Sequence, residues 1–211
     1  MGLLADPCPL SINPETLAFF VSRITVQDGT ILFTYQDNQR DTAIEFWSDE
    51  RHLVPVSTGM WLVYEGLPAQ VRHLFLSHSA TDILCFCQKR PDWLKIPGSV
   101  AFASLGLLAS ADQISFLKQH FVNAKVHTLF DAELTGRVTD CKVALWKSGK
   151  DAFFKVTDDL IQITYRKRKF NIPATSFSLN RFEKVVGIRS GIRTHKPKNG
   201  YCSFREQFNL I

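Results

Sequence analysis

The sequence is poor in cysteine, has no long apolar run and carries none of the common catalytic signatures. Its five cysteines among 211 residues include no C-x-x-C pair, which argues against structural zinc and makes a reducing cytoplasm the expected compartment. No apolar run reaches the roughly 18 residues needed to cross a bilayer. The segment MGLLADPCPL has neither a basic region nor a long apolar stretch, so no signal peptide is predicted.

Several catalytic motifs are also missing. The sequence has no G-x-S-x-G nucleophile elbow, no Walker A loop, no G-x-G-x-x-G fingerprint and no H-E-x-x-H zinc motif. A cysteine–histidine nucleophile pair stays open, although no pattern in the sequence points to one. Chemistries that depend on the missing motifs therefore have little support.

The composition is that of a folded globular protein. Hydrophobic residues make up 45% and charged residues 21% of the chain, a balance that is unlike that of disordered proteins. At 211 residues the chain can bury a sizeable core, as one medium domain or as a domain with appendages.

The formal net charge of +5 is distributed unevenly along the chain. Residues 1–150 hold 13 Lys and Arg against 15 Asp and Glu, a net charge of −2, whereas residues 151–211 hold 12 against 5, a net charge of +7. A basic C-terminal third predicts a polyanionic partner, first of all DNA or RNA. A surface whose charge serves only solubility is the alternative.

Residues 1–69 predict an N-terminal helix and a β-hairpin. Asn13 followed by Pro14 is typical of a helix start, and this helix is predicted to end near Arg23. An Asp-Gly turn precedes the strand ILFTYQD, and a polar turn then leads into TAIEFWS, which completes the hairpin. The G-L-P segment that begins at Gly66 marks the first predicted boundary.

Residues 70–150 alternate between apolar runs and helical patterns. The runs HLFLSHS, PGSVAFASLG and KVHTLFD are each followed by a segment with helical spacing, and Ser110 with Gln113 forms a predicted capping box. This alternation predicts an α/β fold with a parallel sheet and right-handed crossovers. Binding sites in such sheets gather at the carboxyl ends of the strands.

The loops that follow the three apolar runs resemble the motifs of the Toprim domain shared by bacterial primases, topoisomerases and some nucleases. In that family the first strand ends in a glutamate, often as E-S-A-I-D-A-L, and here H-S-A-T-D-I-L places His78 at the glutamate position. The family's glycine loop is matched by FASLG, and its D-x-D-x-x-G motif by DAELTG, which contains Asp131 and Glu133. The resemblance covers residues 70–150, and the preceding hairpin region is similar to primase-like proteins of mobile elements.

The resemblance implies a metal site at these loops. Asp131 and Glu133 would bind Mg²⁺ or Mn²⁺, and His78 would join them in metal-dependent phosphoryl transfer if the site is active. Histidine in place of glutamate removes a hard oxygen ligand and favours Mn²⁺ or Zn²⁺ over Mg²⁺. The alternative is a degenerate core without cofactor, in which the two acids lie in a loop and His78 caps its helix.

Three further residues of this region have structural interpretations. Asp82 is predicted to lie on a helix surface or in a packing network, and Gly106 and Gly136 are predicted to satisfy turn geometry.

Residues 151–211 are predicted to form a basic C-terminal extension. The alternation of LIQITYRKRKF predicts a strand with Ile161, Ile163 and Tyr165 on one face, which leaves the sheet where cations occupy both faces, and a helix is predicted over 178–187. The residues predicted to contact nucleic acid are Tyr165, Arg166, Lys167, Arg168, Lys169, Arg189, Arg193, Lys196 and Lys198. The aromatic residues of this region are alternatively core residues.

Together these patterns predict a cytoplasmic nucleic-acid-binding protein with a degenerate Toprim-like core. Such a protein would act within a larger replication, mobile-element or defence assembly, with catalysis lost or reduced. The alternatives are an active metal-dependent nuclease or primase-like enzyme, and a non-enzymatic protein-interaction scaffold.

Overall fold

The structure, a computed structural model, describes residues 12–209. Within that range the helices are α1 (Pro14–Phe20), α2 (Ala80–Lys89), α3 (Ala111–His120), α4 (Leu134–Trp146), α5 (Leu179–Val186) and α6 (Phe204–Asn209). None of these helices is long and apolar enough to cross a bilayer. The segment that bears on a signal peptide, residues 1–11, lies outside the described range.

Twelve strands form three sheets within residues 12–209. The strands are β1 (Thr25–Gln27), β2 (Thr30–Asp37), β3 (Arg40–Trp47), β4 (His52–Leu53), β5 (Trp61–Tyr64), β6 (His73–Ser77), β7 (Val100–Ser104), β8 (Lys125–Thr128), β9 (Phe153–Thr157), β10 (Leu160–Tyr165), β11 (Arg168–Pro173) and β12 (Arg193–Thr194).

A five-stranded mixed sheet in the order β12-β8-β6-β7-β5 forms the centre of the molecule. The first four strands are parallel to their neighbours, and β5 pairs with β7 in the antiparallel sense. The three predicted apolar runs supply β6, β7 and β8, so the prediction of an α/β fold with a parallel sheet is confirmed. Because β5 precedes residue 70 and β12 follows residue 150, the sheet takes strands from all three predicted regions.

The central strands are apolar throughout because helices cover both faces of the sheet. Phe75 and Phe102 face one core with α2, whereas Leu76 and Ala103 face a second core with α3 and α4. The capping box predicted for α3 is present, with the Ser110 hydroxyl accepting from the Gln113 amide. Helix α4 also packs against the C-terminal sheet through its opposite side and so connects the two sheets.

The N-terminal sheet has the order β1-β2-β3-β4 and contains the predicted hairpin as β2 and β3. The helix start predicted at Asn13 is confirmed, since its side chain accepts from the Glu15 amide. In β3 the side chains buried toward the core are Glu45 and Trp47. The hydrophobic alternation of this strand is irregular because one of its inward positions is a glutamate.

The C-terminal sheet has the order β11-β10-β9 and packs against α5. Its residues Ile161, Ile163 and Tyr165 are buried on one face, as predicted. The prediction that this strand leaves the sheet is wrong, because Arg166 and Lys167 form a tight turn that returns the chain as β11. Both turn residues have positive φ, a conformation usually signalled by Asn or Gly, so the sequence gave no turn pattern here.

Candidate functional site

The carboxyl ends of β6, β7 and β8 meet at one edge of the central sheet. The carbonyl oxygen of His78 accepts from the Ser104 hydroxyl at 2.8 Å, which ties the loop after β6 to the end of β7. The His78 ring lies against Phe130, with 4.5 Å between ring centroids. Burial, with a contribution from the Lys196 ammonium, lowers the pKa of His78 to about 4, so this imidazole is neutral near pH 7.

The two predicted loop acids differ in their surroundings. Asp131 is half-buried, and burial raises its pKa above the ordinary value although the Lys196 charge opposes this shift. Glu133 is exposed and occupies the N-cap position of α4, where its side chain makes no capping hydrogen bond. Within residues 12–209 no three His, Cys, Asp or Glu side chains are arranged to hold a metal ion. His78, Asp131 and Glu133 therefore do not form a three-ligand metal site.

A lysine ammonium lies at the end of β8, where the Toprim resemblance implies a metal. Lys196 Nζ donates to the carbonyl oxygens of Phe130 and Asp131 at 2.7 and 2.8 Å. It also pairs with the buried Asp140 carboxylate at 2.8 Å, and that carboxylate accepts from the Thr128 hydroxyl at 2.6 Å. Since an ammonium has three N–H donors, these three contacts use all of them inside the fold.

Two expectations for neighbouring residues need correction. His78 does not cap α2, because the N-cap is Ser79, whose hydroxyl accepts from the Asp82 amide. Gly136 is not a turn residue, because it lies within α4, where a side chain would collide with the Asp131 backbone. Gly106 does adopt a turn conformation with φ +75°.

Asp82 is a buried residue of a polar network, which is the second of its two predicted settings. Its carboxylate accepts from the Arg205 amide at 2.8 Å. Burial and the nearby Asp131 charge raise the pKa of Asp82 to about 7.

The most extensively hydrogen-bonded carboxylate at this edge belongs to Glu45, which no sequence motif singled out. Glu45 is 0% exposed and lies against the N-terminus of α2. Burial alone would raise its pKa, but hydrogen bonds from His52 and Tyr35 bring the pKa below the ordinary value, so Glu45 is a carboxylate. Its partners are the hydroxyls of Tyr35 (2.7 Å), Ser79 (2.7 Å) and Thr81 (2.7 Å), the amides of Ala80 (2.9 Å) and Thr81 (3.1 Å), and His52 Nε2 (3.0 Å).

This arrangement uses Glu45 as an internal anion at the positive end of a helix. Backbone N–H groups at a helix N-terminus favour negative charge, and here β3 supplies that charge from within the chain. The period-2 pattern of β3 could have revealed Glu45, because it places the residue on the same face as Trp47.

The predicted nucleic-acid contacts divide into three groups. The four cations Arg166 to Lys169 are exposed at the turn between β10 and β11, and Arg189, Arg193 and Lys198 are also exposed. None of these seven forms an ion pair with another residue of the described range. Tyr165 is buried, and Lys196 is occupied by the contacts described above.

Four of the nine predicted residues come together around one cavity of about 460 Å³, named here the basic cavity. Its lining includes Tyr165, Arg166, Arg168 and Arg189, together with Lys150. Lys150 was missed because it follows α4, outside the basic segment of the sequence. The other lining residues used below are Leu145, Phe170, Val186, Ile188 and Ser190.

Comparisons with known proteins give one structural likeness. No protein-family model and no curated protein matches the chain. Among solved structures, the chain is similar to one from "Structure of bacteriophage T7 lagging-strand DNA polymerase" interacting with primase domains of two gp4 subunits bound to an RNA/DNA hybrid and dTTP. The identity is 16%, the match covers 64% of this chain and 69% of that chain, and the TM-score is 0.39. Because a TM-score below 0.5 carries no functional argument, function must be inferred from the geometry.

Proposed function

We propose that this chain is a nucleic-acid-binding protein whose main contact surface is the turn from Arg166 to Lys169. The observation that carries the proposal is that four consecutive cations are exposed at this turn, without ion-pair partners among residues 12–209. Arg189 lies beside them at the basic cavity. Unpaired cations on one surface gain affinity for a polyanion by releasing its condensed counterions.

The central sheet is proposed to be a Toprim-like core in which metal-dependent catalysis is lost or reduced. Support comes from the parallel neighbours β8, β6 and β7, whose carboxyl ends carry the loops of His78, Gly106 and Asp131. The Lys196 ammonium on the Asp131 carbonyl group supplies a positive charge where the resemblance implies a cation. The residues present do not fit a three-ligand metal, so no catalytic step is assigned to them.

Neutralising the four cations tests the binding proposal. We expect the combined substitution of Arg166, Lys167, Arg168 and Lys169 by glutamine to weaken binding of DNA or RNA oligonucleotides at least about tenfold. Each lost phosphate contact should also make the slope of log affinity against log salt shallower by about 0.7 to 0.9. Fluorescence anisotropy between 50 and 200 mM salt measures both quantities for single-stranded and duplex DNA and RNA.

A matched control removes four exposed cations elsewhere. Substituting glutamine for Arg40, Arg51, Arg72 and Lys118, all exposed, changes the net charge equally but should alter the affinity only slightly. If both variants lose affinity equally, the Arg166–Lys169 turn is not the contact surface. If the unaltered protein shows no salt-dependent binding to any of these probes, the nucleic-acid proposal is wrong and the scaffold alternative is favoured.

A further inference from the structure

We propose that the basic cavity binds the phosphate monoester of a nucleotide, either free or at the end of a nucleic-acid strand. The inference depends on the proposed function only for the strand-end source, because a free nucleotide could bind without any contact to a longer chain.

The cations of the basic cavity come from three separate segments. Lys150 follows α4, Arg166 and Arg168 flank the turn between β10 and β11, and Arg189 follows α5. None of the four forms an ion pair within the described residues. Like charges that converge without counter-charges repel one another, and a bound anion would relieve that repulsion.

The number and type of these cations favour a monoester over the diester of a strand interior. A phosphate monoester carries a charge of about −1.5 to −2 near pH 7, whereas each internal phosphate carries a single charge. Arginine binds the oxygens of a phosphate through two parallel N–H donors. Three arginines and a lysine therefore match a terminal phosphate dianion better than one backbone phosphate.

Tyr165 provides an independent indication of a missing ligand. Its side chain lines the basic cavity and is only 5% exposed, yet its buried hydroxyl has no hydrogen-bond partner within the described residues. Buried polar groups in folded proteins are nearly always hydrogen-bonded, so an unpaired phenol points to a partner from outside the fold. A phosphate or sugar oxygen could accept this hydrogen bond.

The remaining wall suits the sugar and base of a nucleotide. Leu145, Phe170, Val186 and Ile188 give the basic cavity an apolar side. A volume of about 460 Å³ also lies within the range of roughly 300 to 1,000 Å³ that is usual for small-ligand sites. An inorganic anion alone would leave most of this space unused.

The one acidic group next to this site has a structural role. Glu183 accepts from the Ser190 amide at 2.7 Å and from the Ser190 hydroxyl at 2.5 Å. These bonds fix the loop that carries Arg189. Glu183 thereby orients one cation of the cavity and forms no ion pair with it.

The test compares ligands that differ only in the terminal phosphate. Oligodeoxynucleotides of one sequence with a 5′-phosphate, a 3′-phosphate or hydroxyl ends are titrated at 150 mM salt, and AMP and adenosine are titrated by calorimetry. We expect at least one phosphorylated end to bind about tenfold or more tightly than the hydroxyl-ended strand. AMP should bind measurably, and adenosine should not.

Paired variants distinguish the cavity from general electrostatic attraction. Arg166→Gln removes a cavity cation, and Lys167→Gln removes its neighbour in the same turn, which does not line the cavity. We expect Arg166→Gln to lower the preference for phosphate ends severalfold, whereas Lys167→Gln should weaken all strands and leave the preference unchanged. Equal effects of the two variants on the preference would overturn the proposal.

Tyr165→Phe separates ligand binding from folding. Removing a buried hydroxyl without a partner should leave the melting temperature unchanged or raise it, while the preference for a phosphate monoester falls. An unchanged preference together with unchanged AMP affinity would show that Tyr165 is not part of a ligand site.

The outcomes also separate this inference from the proposed function. Salt-dependent binding of all strands with no end preference, and no binding of AMP, would refute the monoester site and leave the nucleic-acid surface standing. Binding of AMP without binding of any oligonucleotide would refute nucleic-acid binding and support a site for free nucleotides.

Discussion

Replacing Glu45 with alanine is expected to lower the free energy of unfolding by about 3–5 kcal/mol. The carboxylate is fully buried and accepts six hydrogen bonds, from side chains of β2, from residues at the start of α2, and from His52. Its loss leaves buried donors without an acceptor, and each unsatisfied donor costs roughly 1–3 kcal/mol. The N-terminus of α2 also loses the negative charge that stabilises it.

Urea unfolding followed by circular dichroism near pH 7 measures this effect. Glu50→Ala is the matched control, because Glu50 is exposed in the turn after β3 and its loss should change stability by no more than about 0.5 kcal/mol. Glu45→Gln keeps the side-chain shape but loses the charge and directs an amide at N–H donors, so its cost should be intermediate. It provides the measurement if Glu45→Ala does not fold. A loss within about 1 kcal/mol for both Glu45 variants would contradict the role given to this carboxylate.

The features predicted correctly from the sequence are those encoded by residues close together in the chain. The helix start at Asn13, the capping box of Ser110 and Gln113, and the strand–helix alternation of residues 70–150 each depend on spacings of a few residues. Local dihedral preference and hydrophobic period are sufficient for these signals. The existence and type of the central elements therefore followed from the sequence.

The features that were missed depend on contacts between distant residues. Strands β5 and β12 join the central sheet through pairings with β7 and β8, and no local pattern indicates such partners. The turn at Arg166 and Lys167 is imposed by the pairing of β10 with β11, which outweighs the unfavourable positive φ of its residues. Tertiary pairing overrode local preference in these places.

The candidate site shows the same division. Spacing identified the loops that meet at the carboxyl edge, because parallel strands bring successive loops to one edge. It could not indicate that the Lys196 ammonium would reach Asp140 and the end of β8, across more than 50 residues. Nor could it indicate that Lys150 would join the arginines of the basic cavity, since Lys150 belongs to the segment without net positive charge.

Acid should destabilise the protein through a chain of three histidines on the central sheet. His73 on β6, His127 on β8 and His195 after β12 are joined by nitrogen–nitrogen hydrogen bonds of 3.0 and 2.9 Å. Burial lowers the pKa of His127 to about 3 and that of His195 to about 4, and it also lowers the pKa of His73. The positive charges of Lys125 and Arg193 act in the same direction on His127.

The direction of the effect follows from these lowered pKa values. Between pH 6.5 and about 4 the unfolded chain takes up protons that the folded chain refuses, so stability is full above pH 6.5 and falls as the pH decreases. His127, which is 1% exposed, and the half-buried His195 should together remove roughly 4 kcal/mol by pH 4.5. His78 adds to this loss, whereas Asp82, whose pKa is raised to about 7, opposes it.

Comparing variants isolates the histidine chain from these other groups. His127→Gln replaces the central imidazole with an amide that does not titrate, so its stability should fall by about 2 kcal/mol less than that of the unaltered protein between pH 6.5 and 4.5. His120→Gln is the control, because His120 lies on α3 beside Tyr64, away from the chain, and should leave the acid dependence unchanged. Urea unfolding at the two pH values measures the difference. Parallel losses in His127→Gln and the unaltered protein would show that acid acts elsewhere, since only the central imidazole contacts both of its neighbours.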